Sequence, residues 1–568
     1  IEQIDMHHNN REVKEAKKQQ QHKISKQPSQ ANQEILKGKT SQHPGVQALT
    51  DPSSNQVVTD TNKISAIIEN YFRKSMEAPS IKTGRYLPSD SEAKRDYPWN
   101  DKKNYDTFKL ETPLIRLEQT QKHKRPWLHN SILDSCNFHE CLSSLTNNKA
   151  PGPDGIMNEL LKALPLEFKE TIHKLFVVMW TSGITPKAWK TSNTILIYKE
   201  KGPETDVASY RPIGLANTLY KLWTRMITNT LYEYAETHSL LSDMQAGFRK
   251  KRDTIQQLQN LIMTLEDARL HKQDIYALIV DFTSAFNTTD HDKLLIIMYD
   301  LGFPTDAIDV VKDLYYQAST RVRLPDGSFT PEIPVERGTI QGDTLSPFLF
   351  ILYMEPLLRW LHVGGRGYKF GQPATTTPTN PTPPPKIHHI SSGAFADDLI
   401  GIAGSPQDLR MQASKLTQFA DWAHLIISGS KTKVTCMYHS RQNTQRRGNT
   451  SIPEYAHHEL ADQIRVQGQP AQFLRPDEPF RYLGVLVTMD LNWEHQIKHI
   501  SSTLTSKLQN LKKSFASPTQ TMNIIRTAII PSIAYCFPVT PCSPATLEQW
   551  DSQILMAVKH KFNLWPST

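Results

Sequence analysis

IYALIVDF at residues 275–282 and SSGAFADDLIGIAG at 391–404 are the two stretches that decide how this chain is read. The first is an apolar, β-prone run that delivers Asp281 at the end of a strand. The second sets an acidic pair, Asp397 and Asp398, between two small or apolar arms, a layout that suits a β-hairpin with both aspartates at its tip. Adjacent carboxylates repel one another, and near-buried ones are costly without cations. Two hard divalent ions about 3.5–4 Å apart, bridged by the carboxylates, would remove that cost. A polar turn between two strands is the competing reading of the pair taken by itself.

Working outward, DFTSAF ends on Phe286, shortly after Asp281. An aromatic ring there serves as core packing or as a wall beneath a sugar, and the two roles are compatible. RGTIQGDTLSPFLFILYMEPL follows at 337–357. Gln341–Gly342 lets backbone approach a ligand closely, since glycine has no side chain in the way. Ser346–Pro347 then opens an apolar helix, with proline suited to a first turn.

The rest of the chain sets bounds. Its 568 residues are too many for one compact core, and an apolar fraction of 38% with ten tryptophans argues for a folded protein. A net charge of +8 favours polyanionic partners only mildly. Five cysteines, none spaced C-x-x-C, argue against a disulfide framework and a zinc knuckle. The pairs His388–His389, His457–His458 and His495/His499 lack cysteine partners, so no zinc site is expected from them. No apolar run is long enough for a membrane span, and no leader is visible, so an intracellular, reducing compartment is expected, with no membrane partner. The isoleucine start suggests a fragment of a longer polyprotein.

Residues 1–45, rich in Gln, Lys, His and Asn, read as a solvated, flexible tail. LTDPSSNQVVTD at 49–60 reads as a hairpin, and apolar residues recur at helical spacing from Ile64 to Phe72. A surface excursion is expected over 75–110 and a short amphipathic helix over Phe138–Leu145. Strands and helices alternate between about 131 and 440. Two polar interruptions, the Thr/Pro-rich 373–385 and the stretch 440–478, read as exposed or irregular segments. After Trp493 the pattern is helical, with breaks at Pro518, Pro531 and Pro538–Pro544. Trp493 and His495 are expected to anchor the first helix of that segment.

The order of these blocks resembles the reverse transcriptase family, and within it the enzymes of non-LTR (LINE-type) retrotransposons, from about Ala48 onward. The resemblance is carried by NNKAPGPDGIMNELLKAL (147–164), TILIYKEKG (194–202), SYRPIGLANTLYKLWTRMI (209–227) and MQAGFRKKRDT (244–254). It continues through the three blocks above, then ISGSKTKV (427–434) and FRYLGVLVTMDLNW (480–493). It implies an α+β right-hand polymerase with an N-terminal extension at 46–130. Fingers and the start of the palm would occupy 131–280, a ferredoxin-like palm 281–492, and a helical thumb 493–568.

The resemblance also implies roles. Asp281, Asp397 and Asp398 resemble the catalytic triad, and with Phe282 they form the metal site for two Mg2+ ions, with Mn2+ as a substitute. Lys199 and Arg211 match positions that grip the incoming triphosphate, where cations suit phosphate. Phe286 resembles the sugar gate, Gln341–Gly342 the dNTP and template contact, and Tyr482–Leu483–Gly484 the primer grip. Lys431 resembles the lysine that protonates leaving pyrophosphate, a solvated surface lysine being the alternative. Arg249, Lys250, Lys251 and Arg252 would line the template path, or form a solvated face. The implied partners are template RNA, primer DNA, dNTPs and an element-encoded endonuclease in the full polyprotein. Phe395 stands where the family commonly has tyrosine, and Asn287 where an aspartate often follows. A catalytically decayed or domesticated RNA-binding relic is the alternative function. An RNA-dependent RNA polymerase is disfavoured by Phe286.

Overall fold

The computed structural model describes residues 18–20, 22, 28–37, 45–78, 131–340, 342–363, 367–371, 388–439, 460 and 463–564. Of the excursion expected over 75–110, residues 75 and 76 still belong to a helix and 79–110 lie outside the described residues, as do the Thr/Pro-rich stretch 373–385, His457–His458 and Gln341. The chain divides into two compact units, one of residues 44–257 with 267–475, the other of residues 1–43, 258–266 and 476–568.

The larger unit begins with the expected hairpin, β1 (Leu49–Thr50) paired with β2 (Val57–Val58), and helix α1 (Thr61–Met76). Asp60 caps α1 by accepting from the Lys63 N–H. Ile64, Ile68 and Phe72 fall on its inner face. Helices α2 (Ser135–Ser143) and α3 (Leu166–Ser182) lead to β3 (Thr191–Tyr198) and β4 (Tyr210–Leu215), followed by α4 (Thr218–Thr237). Helix α5 (Thr254–His271) precedes β5 (Ile275–Val280). Then come α6 (His291–Asp300), α7 (Thr305–Tyr315), β6 (Ser319–Val322) and β7 (Ile333–Pro334). Strands β3, β4, β6 and β7 form one sheet in the order β4-β3-β6-β7, and α1 packs its apolar face with Leu196, Val322 and Ile333 of that sheet.

Helix α8 (Leu345–His362) follows, buried almost throughout, with Pro347 in its first turn. Next come β8 (Ser392–Phe395), β9 (Asp398–Ala403), α9 (Pro406–Trp422), β10 (Lys433–Met437) and β11 (Gln472–Phe473). They join β5 in a second sheet ordered β8-β9-β5-β10-β11, antiparallel except for the last pair. Strand β5 lies at its centre, and five of its six residues are buried. That explains why IYALIV is continuously apolar rather than alternating. Helix α9 packs on β5 and β9, and its Gln412 donates to the Ile402 carbonyl at 2.8 Å.

Strand β11 corrects the expectation of irregular chain over 440–478. Of the described part, residues 465–470 form a small hairpin and Gln472–Phe473 extends the sheet in parallel with β10. Val466, Ala471 and Leu474 are buried there. Strands of two residues carry too little alternation to stand out from a polar run.

The second unit holds the hairpin β12 (Phe480–Tyr482) and β13 (Val485–Val487), then α10 (Glu494–Lys513), α11 (Pro518–Ile524) and α12 (Pro544–Lys561). Pro518 starts α11 under a Ser517 capping box, so it does mark a boundary. Pro531 does not. A π-helical turn, Ile525–Ile529, precedes the helix Ile530–Ala534, and the chain runs through this proline still helical. The widened turn accommodates the missing N–H that would break a regular helix. His495 is exposed on the first turn of α10. The neighbouring Gln496 is buried and accepts from the Leu486 N–H at 2.9 Å.

The tail expected over 1–45 also needs correction. Pro28–Lys37 is a helix in this same unit, lying along α10 with Ala31 and Ile35 buried. Asn510 donates to the Leu36 carbonyl at 2.9 Å. Two buried apolar residues spaced i, i+4 are too few to signal a helix from composition, yet enough to dock one on an existing surface.

Candidate active site

Strand register builds the site. Phe395 pairs with Asp398, which leaves Ala396–Asp397 as a two-residue turn. Leu399 pairs with Val280, so one step further along the same antiparallel ladder Asp398 stands opposite Asp281. Side chains of directly opposed residues share a face, and the turn residue Asp397 sits beside them. Ala396 takes the left-handed conformation, with φ of 58°, which sharpens the turn that presents Asp397.

The electrostatics agree with this placement. Burial, together with the charge of Asp281, pushes the Asp397 carboxyl above the usual carboxylate range. Asp398 is exposed. The Lys431 ammonium lies 3.6 Å from Asp281 Oδ1. The loop carrying Lys431 also fixes the strand end, because Ser428 donates its N–H to the Asp281 carbonyl at 2.9 Å and Ile427 bridges Phe282. Phe282 itself is buried. Among the described residues no three His, Cys, Asp or Glu side chains close round one point as a finished cage. The donors that do meet here are hard carboxylate oxygens under mutual repulsion. They suit a hard divalent cation rather than a soft one.

Cations gather nearby. Lys199 continues β3 and Arg211 lies on β4 across from Ile197. Desolvation, with the charges of Arg211 and Lys431, lowers the Lys199 pKa. One group each from β3, β4 and the 427–434 loop is therefore within electrostatic reach of the next, and Lys431 carries the cluster to Asp281. Lys199 is held by the Ala208 carbonyl at 2.7 Å.

Phe286 is half-buried. Its ring stacks on Phe350 of α8 with centroids 4.4 Å apart, and Phe248 meets it edge-on at 6.2 Å. Core packing and a wall for a ligand coincide in this ring, because α8 leaves it no room to turn aside.

Gly342 and Arg249 both make contacts inside the protein. Gly342 has φ of 112°, and a Cβ there would lie 2.7 Å from the Gly214 carbonyl oxygen. The approach to β4 is by itself enough to require glycine here. Arg249 is buried, and its guanidinium is spent inside the protein. It grips Glu236 with two bonds of 2.9 and 2.8 Å and donates to the Ser242 carbonyl at 2.7 Å. It cannot reach a template phosphate. Lys250 and Lys251 are exposed, and Arg252 is partly exposed and paired with Asp243 at 2.5 Å. Tyr482, Leu483 and Gly484 belong to the smaller unit. There the Tyr535 hydroxyl donates to the Leu483 carbonyl at 2.8 Å and pins the β12–β13 turn.

Asp343, one residue beyond Gly342, was not singled out by sequence because an acidic residue in a turn is unremarkable. It is buried under α8, where Thr224 donates to it at 2.5 Å. Burial raises its pKa to about 6, against the pull of Thr224, the first N–H groups of α8 and Lys221. A carboxyl whose folded pKa lies above its unfolded value of 3.8 stabilises the fold below that value, and the benefit is lost as pH rises through about 6. The shift corresponds to about 3 kcal/mol. Asp343→Asn is expected to gain on the wild type by roughly that amount between pH 4 and pH 8 in urea denaturation. A stability difference independent of pH would refute the assignment.

The chain as a whole is similar to one family and to several named relatives. The family model described as reverse transcriptase (RNA-dependent DNA polymerase) matches residues 197–487. The probable RNA-directed DNA polymerase from transposon BS of Drosophila melanogaster is 31% identical over 218 residues, covering 38% of this chain and 24% of that protein. The RNA-directed DNA polymerase from mobile element jockey of the same species is 24% identical over 404 residues, covering 69% of this chain and 40% of its own length. The Pol polyprotein from the type-1 retrotransposable element R2 of Nasonia vitripennis is 23% identical, with 72% of this chain and 36% of the relative covered. The chain thus spans well under half the length of each.

Proposed function

The chain belongs to the reverse transcriptase (RNA-dependent DNA polymerase) family, and on that premise we propose that it extends a primer 3′-hydroxyl with deoxynucleotides on an RNA template. Its setting would be the machinery of a non-LTR retrotransposon, as the names of its relatives suggest. The observation that carries the proposal is the register that sets Asp398 opposite Asp281 with Asp397 in the adjoining turn; Lys431 lies 3.6 Å from Asp281, and Lys199 feels the charges of Lys431 and Arg211.

In this reading the sheet β8-β9-β5-β10-β11 is the palm, the sheet containing β3 and β4 belongs to the fingers, and the helices after Trp493 form the thumb. Asp281, Asp397 and Asp398, with Phe282 beside them, would hold two Mg2+ ions. When bound, these supply Lewis-acid activation of the 3′-hydroxyl and neutralise charge on the leaving pyrophosphate. Lys199 and Arg211 bind and orient the triphosphate. Arg211 suits bidentate contact and Lys199 acts as a point charge. Lys431 stands beside Asp281 in the free protein, close enough to pass to a phosphate oxygen and give it a proton as pyrophosphate departs. Lys250 and Lys251 are the template-path cations left once Arg249 is set aside. Phosphate contacts of that kind would hold the strand without reading its sequence.

Phe286 selects the sugar. Its ring is braced by Phe350 and so would hold its place against a 2′-hydroxyl. Extension of oligo(dT) on poly(rA) with dTTP and Mg2+ tests the proposal, and a folded, RNA-binding wild type that adds no nucleotide would overturn it. Phe286→Ala is expected to raise the efficiency of UTP relative to dTTP by at least about tenfold. An unchanged preference would remove Phe286 from the gate.

A further inference from the structure

The turn that presents Asp397 rests on a residue from another part of the chain. Gln245, in the MQAGFR stretch, is completely buried. Its side-chain oxygen accepts from the Ala396 N–H at 2.9 Å and from the Gly247 N–H at 2.8 Å, while its amide nitrogen donates to the Ala396 carbonyl at 3.4 Å. Both backbone polar groups of Ala396 are therefore held by one side chain.

The surrounding backbone is laid against the hairpin like an added strand. Ala246 donates to the Ala394 carbonyl at 2.9 Å, and Ala394 donates to the Met244 carbonyl at 2.8 Å. Gln257 braces the same two carbonyls, at 2.7 Å to Met244 and 3.0 Å to Ala394. Gly247 has no room for a side chain, since a Cβ would fall 2.2 Å from the Ala396 nitrogen.

Ala396 needs such support. A left-handed alanine is disfavoured by roughly 1–2 kcal/mol, and a buried N–H without an acceptor costs a similar amount again. We infer that Gln245 is a positioning residue for catalysis: it stabilises the left-handed Ala396 and so sets where the neighbouring Asp397 points. The inference rests on the polymerase reading for the role of Asp397, but the clamp itself is a matter of backbone conformation.

The test compares Gln245→Ala, Gln245→Met and Ala396→Gly, alone and combined, in the full chain. Methionine fills the space without the hydrogen bonds, which covers the case in which the alanine variant fails to fold. Each Gln245 variant is expected to lower the kcat of primer extension about a hundredfold, the usual cost of a misplaced catalytic group, with the KM for dTTP within about twofold. Adding Ala396→Gly should restore about tenfold of that, because glycine adopts the left-handed region without a clamp. A residue that merely filled the core would show no such rescue. Wild-type kcat in Gln245→Met, or no recovery on adding Ala396→Gly, overturns the clamp. Should the wild type itself not extend a primer, the polymerase reading fails and thermal melts judge the clamp. Ala396→Gly should then offset part of the Tm lost in Gln245→Met, and strictly additive losses overturn it.

Discussion

Asp397→Asn should abolish primer extension, lowering kcat by at least about a thousandfold, while leaving the protein as stable as the wild type or slightly more so. The two halves of that result have one cause. Asp397 is partly withdrawn from water, and the charge that bears on it from the neighbouring strand is another carboxylate, Asp281. In the free protein the pair is a local strain, relieved on the Asp281 side by Lys431 at 3.6 Å. An asparagine keeps the shape of the turn and removes the repulsion, so the fold gains. It also removes a hard anionic ligand, so divalent-cation chemistry fails. Stability and function pull apart at residues kept for chemistry. The comparison needs two measurements, single-turnover extension and thermal unfolding. Activity within tenfold of wild type would remove Asp397 from the catalytic set. Lost activity together with a large fall in Tm would mean that the carboxylate serves the fold.

What the sequence made legible follows from how strongly each feature is forced. An apolar run ending in Asp281 and an acidic pair between apolar arms each constrain register, and the ladder of β5 with β9 joins them without further information. The same is true of α8, whose apolar length and early proline leave few alternatives. What could not be read is whether a residue's requirement is internal or external. Gly342 and Gly247 are both obligatory, one because it touches β4 and the other because it touches the Ala394–Ala396 backbone. A glycine in the sequence does not say what approaches it. Arg249 likewise sits in a basic run, GFRKKR, where adjacent residues differ in nothing that composition records. The fold turns this one inward to Glu236 and leaves Lys250 and Lys251 outside. Gln245 was in plain view beside them. Its burial and the meeting of Gly247 with the Ala396 backbone appear only once the chain is folded, so the sequence carried no signal for it.

Glu355→Ala is expected to be the most destabilising single substitution considered, because it orphans two groups at once. Glu355 is wholly buried on α8 and receives Arg359 Nε at 2.6 Å and the Ser242 N–H at 2.9 Å on the same oxygen. Arg359, also buried, spends its other contact on the Leu240 carbonyl at 2.6 Å. Burial raises the Glu355 pKa despite these partners, so the carboxylate is present at a cost that the pair offsets. Truncating it leaves an uncompensated guanidinium in the core and a backbone donor with nothing to bond, a loss of about 3–5 kcal/mol. The damage should travel along the chain, since the Ser242 carbonyl also receives Arg249 and the next residues carry Gln245 to the catalytic turn. Glu355→Gln keeps an acceptor for Ser242 and should lose about half as much. Replacing both charges, Glu355→Leu with Arg359→Met, should recover most of what Glu355→Ala loses, because well-packed apolar groups of similar volume cost no charge burial. Equilibrium urea unfolding of the four proteins separates the contributions. If the double variant is no better than Glu355→Ala, the pair's value lies in holding the Leu240–Ser242 backbone rather than in balancing its own charges.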